Sequence, residues 1–251
     1  MSRALAVALR LAALAFLVAL LAAPLAFAPL FDWLTKNGQP AIYQQTPLRQ
    51  LALDHLALVA VAVSLAGLIG IGAAVVVSRP AGREFLPLSR ALANFGQTFP
   101  PVAVLALAVP ILGFGAKPTL IALSLYALLP IFETTLTGMS SIPAQVIEAG
   151  RASGMSNRQQ LWQVELPLCL PAILSGLRLA TIISLATAAI GSTVAAKSLG
   201  EVIIAGLMTG NTAFIVQGGL VLSLLAILIN DAFRWAESRA ARKLGLSGPA
   251  A

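Results

Sequence analysis

The chain has 251 residues, of which 59% are hydrophobic and 10% charged, and its formal net charge is +7. Ordinary soluble domains carry roughly 25% charged residues, so this composition excludes a soluble enzyme and a disordered chain. The single cysteine, Cys169, excludes a disulfide scaffold. What remains is an integral membrane protein, and its excess positive charge is read as membrane topology rather than as affinity for nucleic acid.

A helical span needs ~20 predominantly apolar residues. In chain order the candidates are 11–31, 55–78, 91–116, a fourth beginning after Lys117 and interrupted by Glu133, then 166–196, broken by Arg178, and 202–230. None alternates with period two, which argues against a β-barrel. The first span has a rival reading as a secretory signal with a small-residue site at Ala26-Phe27-Ala28, but its uncharged run exceeds the usual ~7–15 residues; cleavage would leave five spans. The second carries Ala62, Ala66, Gly70, Ala74 and Ser78 at spacing four, a stripe that lets backbones approach closely in lipid. Pro100, Pro101 and Pro110 fall in the third span and Pro130 in the fourth, where each tends to kink a helix. Interrupted helices in a membrane face protein or a watery cavity, which favours a transport pathway over an anchor.

Six spans place both termini on one side. With the N-terminus inside, the inner set is Arg3, Arg10, Arg79, Arg83, Arg90, Arg151, Arg158, Arg234, Arg239, Arg242 and Lys243, against Lys36, Arg49, Lys117 and Lys197 outside, leaving Arg178 of the 16 basic residues. This is a strong positive-inside bias. Trp33 and Trp235 fall just past the first and last spans, at the depth amphipathic rings prefer.

The longest internal polar stretch, 140–171, lies on the inner side and carries explicit helix signals. Ser141 is placed to cap a helix, with Pro143 in its first turn. Gly154 is placed to end that helix in the left-handed conformation. Ser156 with Gln159 three residues on forms a capping box for a second helix, which Pro167 is expected to break. The stretch thus predicts two short helices with a glycine elbow, suited either to a cleft in a soluble partner or to the membrane surface.

Glu148-Ala149-Gly150, then Gly154, then Val164-Glu165-Leu166-Pro167 resembles the EAA loop of ABC importer permeases, with Gly150 and Val164 replacing alanine and isoleucine. Gln97-Thr98-Phe99-Pro100-Pro101, Leu112-Gly113-Phe114-Gly115-Ala116-Lys117-Pro118 and Tyr126-Ala127-Leu128-Leu129-Pro130-Ile131 are similar to the branch of that family serving osmoprotectants such as glycine betaine, choline and carnitine. After Thr193 that branch has a glycine-rich run, where this chain reads Ala195-Ala196-Lys197-Ser198-Leu199-Gly200.

The resemblance implies an all-α bundle of six transmembrane helices of the type I importer class, with cytoplasmic termini, in a bacterial inner membrane. The implied division is an N-terminal helix and outer loop (1–50), a five-helix core (51–245) containing a coupling loop (140–167), and a short tail (246–251). Glu148, Ala149, Gly150, Arg151, Gly154, Leu166 and Pro167 are the coupling candidates, engaging a separate ATPase dimer that holds ATP and magnesium. The chain itself is implied to hold no cofactor or metal and to catalyse nothing. A substrate-binding protein outside, and a second copy or a homologous permease, complete the implied assembly, with no nucleic acid.

Gln97, Thr98, Glu133, Ser192, Thr193 and Lys197 are the polar candidates for lining the pathway. Arg178 is placed at the inner entry of the fifth span with Glu133 near enough to pair with it, and His55 is read as a cap or anchor at the outer end of the second. Competing readings are a permease of another branch, such as amino acids, a secondary transporter, for which Glu133 alone qualifies as a coupling acid, and an intramembrane enzyme. The enzyme is disfavoured because Ser153 and His55 fall on opposite sides, with no Walker or metal-ligand motif.

Overall fold

In the computed structural model, every regular element among the described residues, 3–36 and 38–245, is helical. The expected tail at 246–251 lies outside them. The α-helices are α1 (Arg3–Ala22), α2 (Ala28–Asp32), α3 (Leu48–Val77), α4 (Leu86–Thr98), α5 (Pro101–Leu112), α6 (Ala116–Ser140), α7 (Ala144–Ala152), α8 (Asn157–Gln160), α9 (Leu166–Ala188), α10 (Gly200–Thr209) and α11 (Thr212–Lys243). Among the described residues, four continuous helices are long and apolar enough to span a membrane, Leu48–Val77, Ala116–Ser140, Asn157–Ala188 and Thr212–Lys243, and the number reaches six when each of two bent pairs is taken as one span.

Three expected spans differ in shape, each for a local reason. The first turns by 114° between Val7–Ala22 and Pro24–Asp32, with Pro24 opening a 3₁₀ turn. The third is bent by 93° between Pro80–Thr98 and Pro101–Leu112. There Phe99 (ψ 139°) and Pro100 (ψ 140°) are extended, because the residue before a proline is driven out of the helical region; Pro101 then opens α5, where its missing N–H costs nothing. The sixth does not run through 202–230. α10 closes at Gly210 (φ +66°), Asn211 N–H donates to the Gly206 carbonyl at 2.9 Å, and the Asn211 side chain accepts from Ala213 N–H at 3.0 Å to start α11. Trp235 lies within α11, which continues past the uncharged run; it is exposed, with the Arg239 guanidinium 5.5 Å from its ring centre.

The chain divides into two compact units, each built from separated stretches: Met1–Val61, Pro100–Leu123 and Ser184–Asn230 in the first, and Ala62–Phe99, Ser124–Ile183 and Asp231–Ala251 in the second. The first unit buries Leu17, Leu20, Phe31, Leu51, Leu199 and Phe214 in one core. Its segment before α3 is strapped down by polar contacts. Gln39 donates to the Thr209 carbonyl (2.9 Å), Asn211 to the Pro40 carbonyl (2.9 Å), and both Tyr43 (2.7 Å) and Thr46 (2.8 Å) to one oxygen of Glu201. Burial, reinforced by the Glu201 carboxylate, raises the Tyr43 phenol above its ordinary pKa, so it keeps its proton into the alkaline range.

In the second unit the expected small-residue stripe is buried at Ala62, Ala66, Gly70 and Ala74. A side chain at Gly70 would begin 3.3 Å from Ile131 and Phe132. One at Gly138 would begin 2.6 Å from Ala172 and 2.7 Å from the Cys169 sulfur, and one at Gly176 would run into Thr134 and lie 3.1 Å from Ile131 Cα. Glycine thus sets how closely α6 meets α3 and α9. Gly176→Val is expected to cost at least ~1–3 kcal/mol of overpacking and lower the melting temperature of the detergent-purified protein. Gly72→Ala, where the added carbon meets open space, leaves that temperature unchanged or raises it.

Candidate functional site

The polar stretch after α6 folds as an elbow, with two departures from expectation. Ser141 does not cap the next helix: its hydroxyl donates back to the Gly138 carbonyl at 2.9 Å, finishing α6, and Pro143 takes the cap position of α7. Gly154 turns the chain at φ +79° in open space. Ser156 and Gln159 form the reciprocal capping box, at 3.3 and 2.9 Å. Gln160, buried behind them, donates to the Ile147 carbonyl at 2.7 Å and pins α8 against α7. Pro167 does not break the second helix. A π-turn at Leu161–Glu165, in which Leu166 N–H reaches the Leu161 carbonyl, opens the ladder where the proline ring would otherwise crowd it, and the helix continues to Ala188.

Of the coupling candidates, Glu148, Ala149, Arg151 and Gly154 are exposed on the elbow. Gly150 is buried against Gln160 and Met155. Leu166 and Pro167 are half-buried in the long helix, Leu166 packing with Met139, Cys169 and Ile173. The structure adds Glu165, a residue the sequence reading left without a role. Arg79, just beyond α3, grips it with both terminal nitrogens, Nη1 donating to Oε1 at 2.9 Å, and the carboxylate is buried. An acid inside an apolar helix start and a lone arginine at a span's end were the available signals.

The six pathway candidates divide between the units. In the second, Gln97 donates to the Tyr126 carbonyl at 3.0 Å, beside the Tyr126 hydroxyl bond to the Phe99 carbonyl, so both fasten the end of α4 to α6; Thr98 donates to Phe95. Glu133 pairs with Arg90 at 2.9 Å and not with Arg178, which instead donates to Glu237 at 2.7 Å and to Ser175 at 3.3 Å. In the first unit, Thr193 donates to Ile190 and Ser192 to the Ala196 carbonyl at 2.9 Å, with Ser192 also 2.8 Å from the Ser198 hydroxyl. Lys197 stands exposed and lines a cavity with Asp54. His55 is not a cap: it lies in the third turn of α3, fully buried, its Nε2 donating to the Leu185 carbonyl at 3.0 Å.

The loop after α9 holds Ala195 at φ +63°, a left-handed conformation rare for residues with a side chain. It falls where the osmoprotectant branch has its glycine-rich run. Gly200, which survives from that run, packs directly onto the Ala189 carbonyl, leaving no room for a side chain.

The model for binding-protein-dependent transport system inner membrane components matches residues 66–244, from the middle of α3 through α11. The chain belongs to this family. Among its relatives as inner membrane components, the osmoprotectant import permease protein OsmY of Salmonella typhimurium (strain LT2) is 39% identical over 192 residues, covering 76% of this chain and 81% of that protein. The glycine betaine/carnitine/choline transport system permease protein OpuCD of Bacillus subtilis (strain 168) is 36% identical over 184 residues, covering 73% and 80%. The inward-facing MetNI methionine ABC transporter shares the fold, with a TM-score of 0.68 at 24% identity over 77% of this chain and 95% of that one. The permease is thus a multi-pass inner membrane protein of the expected bundle class.

Relieving the strained loop position gives a test of its geometry. Ala195→Gly removes a left-handed penalty of about 1–2 kcal/mol and adds unfolded-chain entropy of about 0.5–1 kcal/mol. A net gain of about 0.5–1 kcal/mol is expected, read as a higher melting temperature of the purified permease.

Proposed function

We propose that this chain is the membrane subunit of an ATP-driven importer that brings a small osmoprotectant, such as glycine betaine, carnitine or choline, into the cytoplasm. The exposed, doubly pinned elbow at α7 carries the coupling part of this reading; the relationship to osmoprotectant permeases over most of the chain supports the substrate class. In the proposed assembly a substrate-binding protein delivers the solute from outside, and a second copy or a homologous permease completes the pathway. Two ATPase subunits, holding ATP and magnesium, receive one elbow each on the cytoplasmic side, where the basic residues place it. The permease supplies no catalytic group.

Rigid links carry the motion. Approach of the ATPase subunits displaces α7. Gln160 carries that displacement to α8, the unbroken helix carries it to α9, and Arg79–Glu165 carries it to the end of α3. A helix end moved this way shifts a packed bundle between discrete arrangements rather than deforming it gradually.

The test is uptake of labelled glycine betaine, carnitine and choline, each with and without the others as competitors, by cells with and without this chain. Uptake of at least one is expected to require the chain. No dependence for any of them would reassign it to another branch, such as amino acids. Gly154→Val forces a β-branched residue into the left-handed region; it is expected to insert normally and lose most transport. Undiminished uptake in that variant would contradict the elbow's role.

A further inference from the structure

A cavity of about 360 Å³ in the first unit brings together two opposite charges that no motif links. Asp54 lies in the second turn of α3, and its Oδ2 is sealed from solvent without a hydrogen-bond partner. Lys197 projects from the loop after α9. Among the described residues they line the same cavity yet form no ion pair with each other. The wall between them is apolar, formed by Ala57, Leu58, Val61 and Leu120. The volume falls in the range of about 300–1,000 Å³ that small-molecule sites occupy.

The loop backbone that carries Lys197 is held in place. Val194 accepts from Gly115 N–H at 2.7 Å, Ser192 ties the Ala196 carbonyl at 2.9 Å, and buried Ser198 receives Gly200 N–H at 3.1 Å while donating to Ala188. An ionisable residue within a membrane helix is by default read as part of a functional site. Here the carboxylate and the ammonium sit on a common apolar wall with zero net charge between them.

We propose that Asp54 and Lys197 form a transit site for a compact zwitterion: a quaternary ammonium group settles toward Asp54 against the apolar wall, and the solute's carboxylate meets Lys197. A methylated ammonium has no N–H to satisfy, so it needs only a nearby negative charge and apolar contact. A carboxylate needs a donor, which Lys197 supplies. The wall contains no aromatic ring; lacking the cage that binds such cations tightly, the site holds its ligand weakly, as passage requires. A solute carrying only the positive charge leaves Lys197 unpaired in the same cavity. The site therefore selects glycine betaine and carnitine over choline. The proposal rests on the importer reading above.

The test compares uptake of labelled glycine betaine, carnitine and choline by cells containing the complete importer with the wild-type chain, Asp54→Asn, Lys197→Gln or Lys197→Glu. Lys197→Gln is expected to lower uptake of the two zwitterions relative to choline by about tenfold, the effect of losing a charge-assisted hydrogen bond. Lys197→Glu is expected to turn the preference toward choline, and Asp54→Asn to depress all three. A ratio of zwitterion to choline uptake that stays the same in both Lys197 variants would overturn the site. That ratio does not depend on how much protein assembles, so it decides even if Asp54→Asn assembles poorly. Wild-type uptake of none of the three would instead overturn the importer reading, and this site with it.

Discussion

The second unit depends on one buried ion pair. Glu165 has a side chain only 8% exposed, and Arg79 closes over it with two nitrogens. Removing one partner of a buried pair typically costs about 3–5 kcal/mol, because the other charge is stranded. The pair joins the end of α3 to the π-turn from which α9 departs. Arg90–Glu133 joins α4 to α6, and Arg178–Glu237 joins α9 to α11. A chain with so few charges has used these as ties between helices, with Glu165 the most deeply buried of the three acids.

Those ties hold helices whose spacing is set by something simpler. In lipid, apolar side chains gain little from meeting each other rather than acyl chains, so association depends on close backbone approach. Gly70, Gly138 and Gly176 provide it: at each, a single added carbon meets a neighbouring helix at contact distance or inside it. The first unit uses a different device. Glu201 gathers the hydroxyls of Tyr43 and Thr46, and Asn211 fixes Pro40 while starting α11, so a segment without regular structure becomes part of the same folded body as α10 and α11.

Much of this was legible from residue order. Long uncharged runs located the membrane helices, and spacing-four small residues marked the buried face of α3. The Ser156–Gln159 box and Gly154 located the elbow because caps are local chemistry, written within four residues. What failed was whatever depends on partners distant in sequence. Pro167 looked like a stop because a π-turn that accommodates it has no strong local signature. Pro100-Pro101 announced a kink but not a bend of 93°. Depth alone made Arg178 one candidate partner for Glu133, whereas Arg90 reaches it from α4. Asp54 was used only as the boundary of an uncharged window, which concealed that α3 begins six residues earlier and carries it inward.

In the proposed importer these features make the elbow the point where force would enter: α7 is short, exposed and tied by Gln160 to α8, which runs on into a long membrane helix. The proposed contact with an ATPase subunit is directly measurable, because the only native cysteine, Cys169, is buried. Ala149→Cys, on the exposed elbow, should cross-link through a short bifunctional thiol reagent to a cysteine in the ATPase subunit when the complete importer is assembled in membranes. Arg49→Cys, on the opposite side by charge placement, should not. Cross-linking at Ala149 alone is the predicted result; equal cross-linking at both positions, or at Arg49 only, would contradict the account.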